Sequence, residues 1–254
     1  MGRSFEDLVT EGEAEPTEGW DFSWFQGRAT EQRPSWGYAR SLASRVATVG
    51  AVLDVQTGGG EVLAEVLGRA GPPAVVAATE SWPPNAALAR KRLAPFGADV
   101  RELADEEALP FAEAGFDLVA SRHPTVVIWD EIARVLRPGG TYFSQQVGAG
   151  SNRELTDFMM GPQPVSGRRS PEAAATEAQR AGLEVVDLRH ESLEVRFGDV
   201  GAVVYFLRKV LWTVPGFSVD RYRDRLLAMH QQIEHHGSFV SHAQRFLIEA
   251  RRPY

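Results

Sequence analysis

The stretch Ala51-Val52-Leu53-Asp54-Val55-Gln56-Thr57-Gly58-Gly59-Gly60-Glu61-Val62-Leu63 leaves this chain few choices of fold. A short β-branched and aliphatic run ends in a carboxylate and passes three consecutive glycines. It then enters apolar positions Val62, Leu63, Val66 and Leu67 at helical spacing, which reads as strand, tight turn and helix. Glycine in the turn lets a ligand approach the backbone, and the helix N-terminus adds unpaired N–H groups facing it. A nucleotide-like cofactor is expected there. The G-x-G-x-x-G spacing of nicotinamide and flavin sites fails, because Leu63 stands where the third glycine belongs.

Downstream, apolar runs and breakers alternate. Gly71-Pro72-Pro73 breaks the chain, and Ala74 to Glu80 reads as a second buried strand, parallel to the first, that ends in an acid. A carboxylate at that point, being acceptor-only, suits both hydroxyls of a ribose. The competing role for Glu80 is to cap the helix that follows Pro83-Pro84-Asn85. A helix over Asn85–Leu93 is followed by a third strand at Val100–Leu103, a fourth at Gly115–Ser121, a helix over residues 127–136 and a fifth strand at Thr141–Val147. Ser170 is placed to cap a helix reaching Ala181, and Leu183–Leu188 alternates as a strand does. Helical spacing recurs at Tyr38–Val49, Val203–Leu211 and Tyr222–Ile233, and the last strand is Arg245–Ala250.

Read together, these segments resemble the class I S-adenosylmethionine-dependent methyltransferases, type 11-like, in the small-molecule branch. The first motif, D-h-G-x-G-x-G, is filled at Asp54, Gly58 and Gly60, with Thr57 in the turn; Gln56 departs from it, standing at the first glycine. Ala104-Asp105-Glu106-Glu107-Ala108-Leu109-Pro110-Phe111 is similar to G-D-A-x-x-L-P-F, Phe116-Asp117-Leu118-Val119 to F-D-x-V, and Leu136-Arg137-Pro138-Gly139-Gly140 to L-R-P-G-G. The resemblance covers roughly residues 50–147. It implies a Rossmann-like, doubly wound, seven-stranded and mostly parallel sheet with an antiparallel last strand. It also implies S-adenosyl-L-methionine as cofactor and S-adenosyl-L-homocysteine as product. Glu80 then takes the ribose, Ser81 and Trp82 lie beside the adenine, Asp105 with Glu106 meets its amino group, and Ser121 is a further contact. The expected division is 1–49 lid and lead-in helix, 50–198 cofactor-binding core, 199–242 helical cap, and 243–254 last strand.

Composition narrows the partners. With 27 basic against 34 acidic residues the formal charge is −7, which disfavours an extended nucleic-acid surface. Cysteine is absent, so neither disulfides nor thiolate metal sites are available. The acidic start lacks a secretory pattern, and no run approaches the roughly 20 apolar residues that span a bilayer. A soluble, cytoplasmic protein is expected. His235 and His236 are adjacent and no H-E-x-x-H spacing occurs, so no metal is expected.

Methyl transfer from a sulfonium is an in-line displacement and mainly needs positioning. Where the acceptor must lose a proton, histidine is the natural base, and His123, just past the fourth strand, is the candidate. Arg28 is a candidate partner for the cofactor's carboxylate. The aromatic stretch Trp20–Phe25 and the Tyr205–Trp212 helix are expected to line an apolar acceptor pocket. The function expected is methyl transfer to an O, N or C atom of a small molecule. The alternatives are an RNA or protein methyltransferase, or a catalytically silent cofactor-binding partner subunit, which Gln56 motivates.

Overall fold

Strands buried on both faces alternate with amphipathic helices, as the apolar runs separated by breakers require. A computed structural model describes residues 3–17 and 22–254, so Glu18, Trp20 and Asp21 of the N-terminal stretch lie outside the described residues. In chain order the elements are α1 (Phe5–Ala14), β1 (Ala29–Glu31), α2 (Tyr38–Val46), β2 (Ala51–Asp54), α3 (Glu61–Ala70), β3 (Val75–Glu80), α4 (Pro83–Leu93), β4 (Asp99–Glu102) and β5 (Phe116–Arg122). Then follow α5 (Trp129–Val135), β6 (Leu136–Val147), α6 (Arg153–Met160), α7 (Pro171–Arg180), β7 (Glu184–Phe197), α8 (Val200–Lys209), α9 (Val219–His236) and β8 (Phe239–Arg251). The strands hydrogen-bond in the order β1-β7-β8-β6-β5-β2-β3-β4. The mostly parallel sheet with its antiparallel last strand is as expected, but among the described residues it has eight strands rather than seven. The additional one, β1, pairs antiparallel with Val195–Phe197, because β7 runs well past the expected Leu188.

The chain forms two compact units. The sheet unit comprises Pro34–Ala149, Gly167–Glu191 and Arg245–Tyr254. In it β3, β2, β5 and β6 are parallel neighbours, β4 lies parallel beyond β3, and β8 is antiparallel to β6. Successive side chains leave opposite faces of a strand. Accordingly Val52, Leu118 and Phe143 meet α2, α3 and α4 on one face. Leu53, Val119 and Tyr142 meet α5 and α7 on the other. Ser170 caps α7 by accepting from the Ala173 N–H, as its position predicts. The Leu136-Arg137-Pro138-Gly139-Gly140 segment is not a turn ahead of the strand. It is taken into β6 through a register shift opposite Phe116–Leu118, with Gly139 at φ +77°.

The second unit comprises Met1–Arg33, Gly150–Ser166 and Ser192–Gln244. These bounds cut the chain differently from the expected four-part division: α8 and α9 share a core with α1 and α6. Leu8 and Val9 pack with Leu155, Val203, Val204 and Met229. The Trp24 and Phe25 rings sit 4.9 and 5.0 Å from the Tyr205 ring, and Tyr205 is buried. Of the aromatics expected to line an acceptor pocket, Trp24, Phe25 and Tyr205 are therefore packed on one another, whereas Trp212 is exposed.

Candidate functional site

The carboxyl ends of the parallel strands, all in the sheet unit, gather most of the expected residues. Between β2 and α3 the backbone takes positive φ at Gln56 (+58°), Gly58 (+64°) and Gly60 (+76°). A side chain in that region is disfavoured, and only Gln56 carries one. Its amide compensates by bonding to the segment that follows β5. Nε2 donates to the Val126 carbonyl at 2.7 Å, and Oε1 accepts from the Thr125 N–H at 2.6 Å and from its hydroxyl at 3.1 Å. The same Thr125 hydroxyl bonds Asp105, and Arg169 donates to the Thr125 carbonyl at 2.9 Å. Thr125 and Arg169 carried no motif signal. Asp54 is buried and accepts from the Thr57 hydroxyl at 2.6 Å. Burial pushes its carboxyl up to about 7, against the Thr57 bond, which pulls it down.

Glu80 closes the turn from β3. Its two oxygens accept from the Gly58 N–H at 2.7 Å and the Trp82 N–H at 3.1 Å. Helix α4 has no side-chain cap, which sets aside the capping role for Glu80. Burial raises the Glu80 carboxyl above its ordinary range and the backbone N–H bonds oppose it. Ser81 is half-buried, and Trp82 beside it is 39% exposed. Beyond β4, Asp105 lines a cleft with apolar walls from Val55, Leu103, Leu109, Val127 and Ile132. One Asp105 oxygen is taken by Thr125; the other, Oδ1, is buried and has no partner. Glu106 is exposed and lies outside the lining, which instead includes Glu107. Ser121 and Tyr142 also line the cleft, and Ser121 Oγ hydrogen-bonds the Tyr142 hydroxyl at 2.7 Å and Ser144 Oγ at 2.9 Å. Burial pushes the Tyr142 phenol up to about 12, so it stays neutral.

His123 is beside this cleft rather than in its lining, and it too has positive φ (+57°). Its tautomer follows from its neighbours. The Trp36 indole, a donor only, gives its N–H to Gln145 Oε1 at 2.7 Å, which turns the Gln145 amide nitrogen toward His123 Nε2 at 2.8 Å. Nε2 is thus an acceptor and Nδ1 carries the proton. Burial, then the charges of Arg122 and Arg245, hold the ring well below the usual histidine range. In this arrangement the basic nitrogen expected to take a proton from the acceptor is already occupied by Gln145.

Arg28 lies in the second unit. Its guanidinium bonds Asp199 at 2.8 and 3.2 Å, pairs with Glu11 at 3.1 Å and lies 3.9 Å over the Trp24 ring. Its charge is used to hold α8 and α1, which corrects its expected service to a cofactor carboxylate. Among the described residues there is no cluster suited to a metal ion.

The orphaned Asp105 oxygen suits an exocyclic amine, and the Glu80 oxygens, each with one backbone donor, retain lone pairs for vicinal hydroxyls. These acceptors complement the amine and hydroxyl donors that an adenine nucleoside presents. Residues 53–144 match the family model described as a methyltransferase domain. No curated protein matches the chain. Among solved structures, the YcgJ protein of Bacillus subtilis shares the fold at 14% identity and a TM-score of 0.60, over 85% of this chain and 98% of that one. A proposed methyltransferase of Bacillus halodurans does so at 17% and 0.59, over 85% and 99%. A third, at 17% and 0.53 over 100% of both chains, is the complex between the Haloferax volcanii Trm112 methyltransferase activator and a proposed methyltransferase. Over residues 53–144, then, the chain matches a methyltransferase-domain family, and the solved structures that share its fold include a proposed methyltransferase.

Proposed function

We propose that the sheet unit moves the methyl group of S-adenosylmethionine to an O, N or C atom of a small molecule. The observation that carries the choice of a small acceptor is the character of the cleft. Its walls are mostly apolar, the acids in its lining are Asp105 and Glu107, and the chain's formal charge is −7. A phosphate backbone gains nothing from such a lining. Bound there, the cofactor supplies an electrophilic methyl group on a sulfonium. Glu80 holds its ribose, Asp105 its adenine amine, and Trp82 offers an exposed ring beside them. The apolar walls keep water out, which strengthens every polar contact inside. Holding two reactants in line can contribute on the order of 7–11 kcal/mol in the best cases, without a dedicated base.

Calorimetric titration with S-adenosylmethionine, S-adenosylhomocysteine and, as a control, NADH tests this reading. Micromolar binding of the first two alone supports it; no binding of either refutes it. A second reading, a cofactor-binding subunit silent without a partner, is favoured by the Gln56 amide being taken up by Thr125 and Val126, and the Haloferax neighbour was solved with an activator. Binding without turnover over a broad acceptor panel, with turnover restored by a second protein, would establish it instead.

A further inference from the structure

Charge changes sign along the carboxyl ends of the sheet unit's strands. At the β3 and β4 side stand Glu80, Asp105, Glu106 and Glu107. At the β5, β6 and β8 side stand Arg122, the last residue of β5, opposite Gln145 of β6, and Arg245 of β8, opposite Val147 of β6. Arg122 is exposed, and among the described residues its guanidinium has no hydrogen-bond or ion-pair partner. Its charge acts on Asp54, whose carboxyl burial pushes up to about 7. Between the two arginines His123 is kept neutral, and the Trp36–Gln145 relay fixes it as an Nδ1–H donor.

Resting on the methyl-transfer reading above, we infer that Arg122, with the His123 Nδ1–H beside it, docks a carboxylate of the methyl acceptor, so that the acceptors are acidic small molecules. A guanidinium presents a rigid fork matched to a carboxylate, and a neutral imidazole N–H adds a second direction of approach. The alternative owner of such a carboxylate is the cofactor's own amino-acid arm. From Glu80 on β3 the basic side extends over two to four strand spacings, roughly 10–19 Å at ~4.8 Å each. Arg122, on β5, stands at the near end of that span, roughly 10 Å from β3, so the comparison of S-adenosylhomocysteine with its decarboxylated analogue is what separates the two owners.

The test uses the full chain and its Arg122→Gln and Arg122→Lys variants. Each is titrated by calorimetry with S-adenosylhomocysteine, then, at saturation, with benzoate and 4-hydroxybenzoate against the uncharged benzamide and 4-hydroxybenzamide. The expected result is that the wild-type complex prefers the acids over the amides by at least about tenfold. Arg122→Gln erases the preference and Arg122→Lys keeps part of it, while S-adenosylhomocysteine binds all three within about twofold. Absence of an acid preference in the wild type, including no binding of any probe, overturns the inference, as does a preference that survives Arg122→Gln. A loss of S-adenosylhomocysteine affinity in Arg122→Gln that the decarboxylated analogue does not share would transfer Arg122 to the cofactor and overturn it too. Failure of the methyl-transfer reading is distinct: the wild type then binds no S-adenosylhomocysteine at the first step.

Discussion

Replacing Glu80 with alanine tests the nucleoside end of the site most directly. The carboxylate holds the turn through Gly58 and Trp82 and leaves lone pairs on both oxygens. Hydrogen bonds to a charged acceptor contribute about 1.5–3 kcal/mol each. Two ribose hydroxyls therefore stand to lose roughly 3–6 kcal/mol. The variant also relieves an unfavourably buried carboxylate, whose elevated protonation range shows the strain. A net affinity loss of about 3 kcal/mol is expected, or roughly a hundredfold rise in Kd. The assay is calorimetry with S-adenosylhomocysteine, adenosine and 2′-deoxyadenosine, with melting curves run in parallel to separate binding from unfolding. The wild type should prefer adenosine over 2′-deoxyadenosine, and Glu80→Ala should lose that preference. A folded variant that binds all three ligands within about threefold of the wild type would refute the reasoning.

Three further outcomes follow from the geometry. Gln56→Ala keeps the positive φ and loses the amide's bonds, whereas Gln56→Gly loses the same bonds but relaxes the backbone. Denaturant melts should show the glycine variant more stable than the alanine variant by about 1 kcal/mol, and the reverse order would contradict the strain at this position. Asp54 binds its proton more tightly folded than unfolded, so it favours folding at low pH and costs stability as pH rises from about 4 through about 7. Asp54→Asn should gain on the wild type between pH 4 and pH 8 by on the order of 2–4 kcal/mol; a gap between their melting curves that does not change with pH would exclude this. Arg28→Ala leaves Asp199 without its partner and should cost about 1–3 kcal/mol of stability. Its S-adenosylhomocysteine affinity should stay within about twofold of the wild type, and a tenfold loss would return Arg28 to the cofactor.

The sheet unit was readable because its signals are local. Each strand end, turn and following helix lies within a dozen or so residues, and Asp54, Glu80 and Asp105 each fall where a strand runs out. What decided the rest is separated in sequence. The fate of Arg28 depends on Asp199, and the state of His123 on Trp36 and Gln145. The reach of β7 and β8 into the second unit leaves no breaker to mark it. Helix α1 was within reach: Ser4 and Asp7 form a reciprocal capping box, and Phe5, Leu8, Val9 and Gly12 keep helical spacing. The same periodicity that revealed α3 was masked there by the surrounding acids.

Helix α1 also has a consequence for how the chain is made. Gly12 and Gly201 let α1 and α8 approach so closely that a methyl group on either would meet the other helix's backbone. The Gly12 carbonyl accepts from Arg208, 196 residues later in the chain. During synthesis at about 5–20 residues per second, α1 leaves the ribosome on the order of 10–40 s before its partner exists. A ten-residue helix does not hold itself together alone in water, so Leu8 and Val9 travel uncovered for that time. Glu6, Asp7, Glu11 and Glu13 surround them, and mutual repulsion between neighbouring nascent chains keeps that apolar pair from finding the wrong partner first.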